Sequence, residues 1–252
     1  MDITSRTVLI AGGTAGIGLE MARRLTAAGS SVVVGGRRVD RLTDIAAEGI
    51  GTVELDVSDP ASVERARDSV LASFPDLDTV VTMAGVQLIE DVRDPGHIAT
   101  AEQIVQTNLL GTIRVIDAFT PHLLARGTGT FVTVSSGIGF LPFPLMPTYG
   151  ASKAAVHAYS ESLRAQLDGT GVDVVELVPP AVATSEDQRR ANPAALDVGD
   201  FVEEVLTLLA ADPTPHELLV GSVQTHRWAE RDGTYDELVA QRSKALASLP
   251  GR

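Results

Sequence analysis

The chain has 252 residues, 44% of them hydrophobic, which suits one α/β domain with a large core. It has no cysteine, which excludes disulfides, zinc–thiolate sites and thiol catalysis. A net charge of −13 and few aromatics argue against partners that are nucleic acids or anionic membrane surfaces.

In chain order, strand-like runs and helical patterns alternate without a linker, repeat or low-complexity tract. The run Arg6-Thr-Val-Leu-Ile-Ala11 is an apolar strand, followed by the glycine turn Gly12-Gly-Thr-Ala-Gly16-Ile-Gly18. A helix over 16–28 then carries Leu19, Ala22 and Leu25. Further strands are expected at 31–35, 51–55, 79–83, 130–135, 172–178 and 217–220. Further helices are expected at 38–48, 60–73, 98–125, 148–168 and 198–211. Asp59-Pro60 and Asp197 read as helix starts, and Gly29, Gly49 and Gly127 as helix stops. The fold class is therefore α/β, a doubly wound seven-stranded parallel sheet in a single domain spanning 1–252. The polar, proline-interrupted stretch 181–197 reads as a loop and 228–247 as a terminal helix. No apolar run approaches the ~18 residues of a membrane span, and the first residues lack a signal-peptide core. The expected compartment is the cytoplasm.

Strand, glycine turn and helix together form the setting of a dinucleotide site. Gly12, Gly16 and Gly18 let backbone approach a pyrophosphate, and the helix N-terminus offers free N–H groups. Near the end of the second strand, about twenty residues past the loop, an NAD site usually carries an acid for the ribose 2′-hydroxyl. Here Gly36 occupies that place and Arg37 and Arg38 follow. Guanidiniums can bind a 2′-phosphate, so NADP(H) is the expected cofactor. Ala15 stands where many NADP-preferring proteins carry a basic residue.

Tyr149 and Lys153 lie four apart in Tyr149-Gly-Ala-Ser-Lys153, hence on one face of a helix. An ammonium beside a phenol lowers its pKa toward the range of a working general acid. The same spacing also occurs on plain amphipathic helices, so the pair gains meaning from its surroundings. Ser136 closes the apolar strand Thr130-Phe-Val-Thr-Val-Ser135, at the end where ligands sit in open parallel sheets. Phe140, Leu141, Phe143, Leu145 and Met146, between Ser136 and Tyr149, are candidates for an apolar pocket wall. The five histidines form no ligand motif, and no metal is expected.

Together these residues resemble the short-chain dehydrogenase/reductase family in its single-domain form, from Arg6 to about Gly221. The glycine loop, Asn108 in Gln106-Thr-Asn108, Ser136 and Tyr149-x-x-x-Lys153 match the family pattern in order and spacing. Within the family the likeness is strongest to oxidoreductases associated with teichoic-acid D-alanylation operons. The resemblance implies an NADP(H)-dependent oxidoreductase that interconverts a carbonyl and an alcohol. Tyr149 would donate the proton, Lys153 would hold the nicotinamide ribose, Ser136 would polarise the substrate oxygen, and Asn108 would position a relay water. It further implies cofactor contacts from Thr14, Ile17, Asp56, Val57, Ala84, Gly85, Pro179, Val182 and Thr184, a substrate loop at 181–197, and a homodimer or homotetramer. Three departures stand out: Ala11 in place of a threonine, Thr82-Met83 in place of two asparagines, and Pro180 in place of a glycine. Thr82 could replace one lost hydrogen bond, and Pro180 stiffens the loop entry. The alternatives are a non-catalytic nicotinamide sensor, and an epimerase or dehydratase, for which the chain after Val220 leaves no substrate domain.

Overall fold

The computed structural model describes residues 3–250. Strands β1 (Thr7–Ala11), β2 (Ser31–Gly36), β3 (Gly51–Glu54), β4 (Thr79–Thr82), β5 (Gly129–Val134), β6 (Val172–Val178) and a short β9 (Glu217–Leu219) form one sheet. Every pairing is parallel, in the order β3-β2-β1-β4-β5-β6-β9. The strands are continuous apolar runs because helices cover both faces. On one face lie α1 (Gly16–Ala27), α2 (Val39–Ala47) and α8 (Val198–Ala210). On the other lie α3 (Pro60–Ser73), α5 (Gly111–Arg126) and α6 (Pro147–Leu167). The sequence also dictates the ends. Asp59 accepts the Ala61 N–H at 3.0 Å with Pro60 in the first turn, Asp197 accepts from Gly199, and Gly127 ends α5 in the left-handed conformation.

Three segments differ from expectation. The helix expected over 98–125 is α4 (His97–Ile104), a π-helical turn over Val105–Leu110, and α5. The extra residue in that turn is not visible as a break in apolar periodicity. The segment 181–197 is ordered rather than a plain loop. It holds β7 (Val182–Ala183), α7 (Glu186–Ala191) and β8 (Leu196–Asp197), with β7 and β8 pairing in a small parallel ladder. The expected terminal helix over 228–247 is broken. A short α9 (Val223–Arg227) is separated from α10 (Tyr235–Ser243) by a turn in which Gly233 is left-handed, and a 3₁₀ segment Lys244–Ser248 follows. Arg227 and Arg231 both lie over the Trp228 ring, at 4.3 and 4.5 Å, which fastens that turn.

The strand order reverses between β1 and β4. A crevice opens there beyond the carboxyl ends of the strands.

Candidate active site

The crevice is a groove of about 500 Å³. One wall is the glycine turn and the start of α1, with Gly12, Thr14, Ile17 and Gly18. The floor and far wall bring together Arg37, Arg38, Asp56, Val57, Ala84, Gly85 and Thr184. Gly12 has φ +96°, and a Cβ on it would fall 2.4 Å from the Ala84 backbone nitrogen, so only glycine allows β1 and β4 to close there. Ala15 caps α1 without a side-chain hydrogen bond, which leaves the first N–H groups of the helix facing the groove. Gly16 packs against Thr184. Of the residues the sequence pointed to, Gly16 itself, Pro179, Val182, Tyr149 and Lys153 do not line this groove. Ala15, Gly36, Leu55, Met83, Val86 and Thr107 line it without having been singled out as contacts. Thr107 and Val86 each adjoin a residue that was, which is the signal that could have found them.

Gly36 is packed hard. A Cβ there would lie 2.3 Å from the Thr14 methyl, so no acidic side chain fits unless the loop moves. Arg38 donates to Thr14 Oγ1 at 3.1 Å. Burial alone would raise Asp56, but the Ser58 hydroxyl and N–H, aided by Arg37, hold its carboxyl below the usual range.

Beside the groove, the carboxyl end of β5 delivers Ser136, and α6 presents Tyr149 and Lys153. The Tyr149 phenol lies near enough to Ser136 for that hydroxyl to pull its pKa downward, and Ser136 Oγ accepts the Ile138 N–H at 3.3 Å. Lys153 crosses beneath, buried, and its Nζ donates to Val134 O at 2.7 Å. The expected lowering of the Tyr149 pKa is not found. Desolvation pushes the phenol above its ordinary value and the Ser136 hydroxyl only partly opposes this. The physical reason is geometric: Lys153 Nζ is 5.9 Å from the ring centroid and spends a proton on Val134. Lys153 itself is drawn down to about 8 by desolvation, with Glu176 opposing.

Asn108 sits in the π-helical turn, fully buried. Its Oδ1 accepts the Val86 N–H at 2.8 Å, and its Nδ2 donates to Val86 O at 2.9 Å and Ser152 Oγ at 3.2 Å. The turn thus clips α6 to the segment after β4, next to Gly85, whose added Cβ would meet both Asn108 Oδ1 and Lys153 Nζ. The hydroxyl of Thr82 does not replace the missing amides: Thr82 Oγ1 is buried without a partner. No non-glycine residue among those described has positive φ, so Pro180 meets no demand it cannot satisfy. Of the apolar candidates, Leu141 and Leu145 are core, while Phe140, Phe143 and Met146 remain partly exposed. The tail closes over this loop: Arg242 donates to Leu141 O and contacts His226 Nε2, and Arg93 reaches Pro250 O at 3.0 Å.

The histidines are not all scattered. His157 meets Glu161, Glu176 and Glu217, with ligand-capable atoms within 4.8 Å of one another. Two of these carboxylates are held by guanidiniums, Glu217 by Arg227 and Glu161 by Arg164. A lone Glu inside the apolar strand Val172–Val178 was the available sign of this cluster.

The model of the short chain dehydrogenase family matches residues 6–194. The chain belongs to that family. It is similar to the uncharacterized oxidoreductase DltE of Bacillus subtilis (strain 168), 36% identical over 192 residues, covering 75% of this chain and 76% of the relative. It is 35% identical over 185 residues to the NADP-dependent 3-hydroxy acid dehydrogenase YdfG of Salmonella typhi, covering 71% and 73%. Among solved structures, a short chain dehydrogenase from Burkholderia cenocepacia J2315 in complex with NADP superposes with a TM-score of 0.79 at 25% identity, covering both chains fully. As a short-chain dehydrogenase the protein is an oxidoreductase acting on CH–OH or C=O groups of small molecules with a nicotinamide dinucleotide. No described helix is long and apolar enough to cross a membrane.

Proposed function

We propose that the protein is an NADP(H)-dependent oxidoreductase that interconverts a ketone or aldehyde with an alcohol, using Tyr149 as general acid and base. The observation that carries this reading is the placement of Ser136, Tyr149 and the buried Lys153 together beside Gly85 of the glycine-lined groove. The residues present fit a dinucleotide. The free N–H groups of α1 suit a pyrophosphate, and Asp56 and Val57 flank the space for the adenine. The preference for NADP(H) is supported by Gly36, which supplies no acid and is packed against the Thr14 methyl, and by Arg37 and Arg38 next to it.

When bound, the cofactor supplies or accepts the hydride. The chain manages the proton. In reduction, the Ser136 hydroxyl holds the substrate oxygen while Tyr149 Oη gives it a proton; oxidation reverses the transfer. A phenol raised by burial keeps its proton at neutral pH, the state a general acid needs. The ammonium of Lys153 then stabilises the phenolate left behind. Asn108 fixes the backbone at Val86; both of its amide hydrogens are engaged and Oδ1 already accepts the Val86 N–H, so the second lone pair of Oδ1 is what its side chain offers a relay water. The segment 181–197, with its β7–β8 ladder, forms the substrate side, and assembly as a homodimer or homotetramer follows the family resemblance.

The test is Tyr149→Phe. The variant keeps its fold and its NADPH binding and loses at least ~10²-fold in turnover across a panel of aldehydes and ketones. Near-normal turnover by the folded variant refutes the assignment.

A further inference from the structure

The layer between α6 and the sheet holds charged groups that the reaction above does not use. Tyr149, Lys153 and His157 recur every four residues on α6 and share one face. His157 Nδ1 lies 2.8 Å from Glu176 Oε2. Glu176 stands in β6 opposite Thr133 of β5, is 0% exposed, and its Oε1 has no hydrogen-bond partner. The next residue of β5, Val134, receives the Lys153 ammonium, and Lys153 is 4% exposed. A carboxylate and an amine are thus buried in the same layer, the carboxylate bonded to His157, which lies one helical turn from Lys153 along α6.

The neighbouring charges pair off. Arg227 of α9 holds Glu217 of β9 through two bonds of 2.8 and 2.9 Å, and Arg164 holds Glu161 within α6. His216 faces Glu161 from the start of β9. Around Lys153, Tyr149, Ser136 and Asn108 are uncharged. Glu176 Oε2 is bonded to His157; beyond that bond, the cations whose charge reaches Glu176 are Lys153 and Arg227, and Arg227 is already committed to Glu217 through two bonds. A buried carboxylate without a cation is costly, and so is a buried ammonium without an anion.

We propose that Glu176, steadied by His157, is a positioning residue: the fixed counter-charge that keeps Lys153 an ammonium in a water-poor site. The proposal rests on the role given to Lys153 above. It agrees with the opposing pulls on Lys153, burial downward and Glu176 upward, and with the rise of His157 caused by its bond to Glu176. It also explains why an apolar strand tolerates a glutamate at its centre.

The chain offers a direct readout, because Lys153 and the exposed Lys244 are its two lysines. In protein labelled at lysine Cε, an NMR pH titration resolves both without substrate or cofactor. The wild-type Lys153 midpoint is expected near pH 8. In Glu176→Gln it falls by about one pH unit, while Lys244 does not move and Glu176→Asp holds the wild-type value. The alkaline limb of the pH–rate profile for carbonyl reduction falls in parallel. An unmoved Lys153 midpoint in folded Glu176→Gln overturns the proposal. Should that variant not fold, Glu176→Leu, which removes the buried charge without leaving an unpaired polar group, decides by the same readout: a fall of the Lys153 midpoint is expected, and no change overturns the proposal. Because the titration needs no turnover, its failure is distinct from a failure of the Tyr149 test.

Discussion

At the scale of single residues, the proposed preference for NADP(H) turns on a side chain that is missing. A Cβ at Gly36 would lie 2.3 Å from the Thr14 methyl, so the acid that would repel a 2′-phosphate is absent and could stand there only if Thr14 shifted. Arg37 and Arg38 then set the charge at that end of the groove, with Arg38 already tied to Thr14. Arg37→Ala is expected to weaken NADPH binding by ~10- to 100-fold, the ~1.5–3 kcal/mol of a charge-assisted contact, and to leave NADH binding nearly unchanged. Fluorescence titration of both cofactors measures this, and equal losses would show that Arg37 does not read the phosphate. Other residue-scale properties were invisible beforehand. The Tyr149–Lys153 spacing predicts a shared helix face, which holds, but not that Lys153 Nζ turns to Val134 O instead of toward the phenol. That choice depends on where β5 ends relative to α6, a tertiary distance that no local pattern encodes.

At the scale of elements, most of the architecture was legible because its signals are local. Continuous apolar runs mark buried parallel strands, and Asp59-Pro60 marks a helix start by chemistry alone. Asp59 accepts the Ala61 N–H and is half-exposed, so Asp59→Ala removes one cap at little other cost. The expected loss is ~1 kcal/mol, read as a lower urea midpoint with unchanged slope. The elements that were misread lack such signals. Nothing in Val105–Leu110 announces a π-turn, since a six-residue segment is too short to show a change of period; the buried Asn108 within it makes the clip to Val86. The β7–β8 ladder is two residues a side, too short to show a period. In the tail, Gly233 was a visible breaker inside a pattern otherwise read as one helix. The buried Glu176 belongs with these, because a charge at the centre of an apolar strand is legible, whereas its partners are not.

At the scale of the whole molecule, the sheet consists of two halves, β3-β2-β1 and β4-β5-β6-β9, which meet at a single parallel pairing of β1 with β4. The groove lies over that seam, and its walls come from both halves: the glycine turn, Arg37 and Asp56 from one, Ala84, Gly85 and Thr184 from the other. A dinucleotide seated there is a cross-brace as well as a reactant. By mass action, NADPH at 100 times its Kd adds about 2.7 kcal/mol to the stability of the folded state. For a chain of this length that corresponds to a rise in Tm of several degrees, larger with NADPH than with equimolar NADH; differential scanning fluorimetry measures both, and a larger rise with NADH would contradict the preference. A ligand that braces the seam makes the lifetime of the polypeptide answer to the nicotinamide supply: chains without cofactor are expected to unfold more often and to be removed first by a protease.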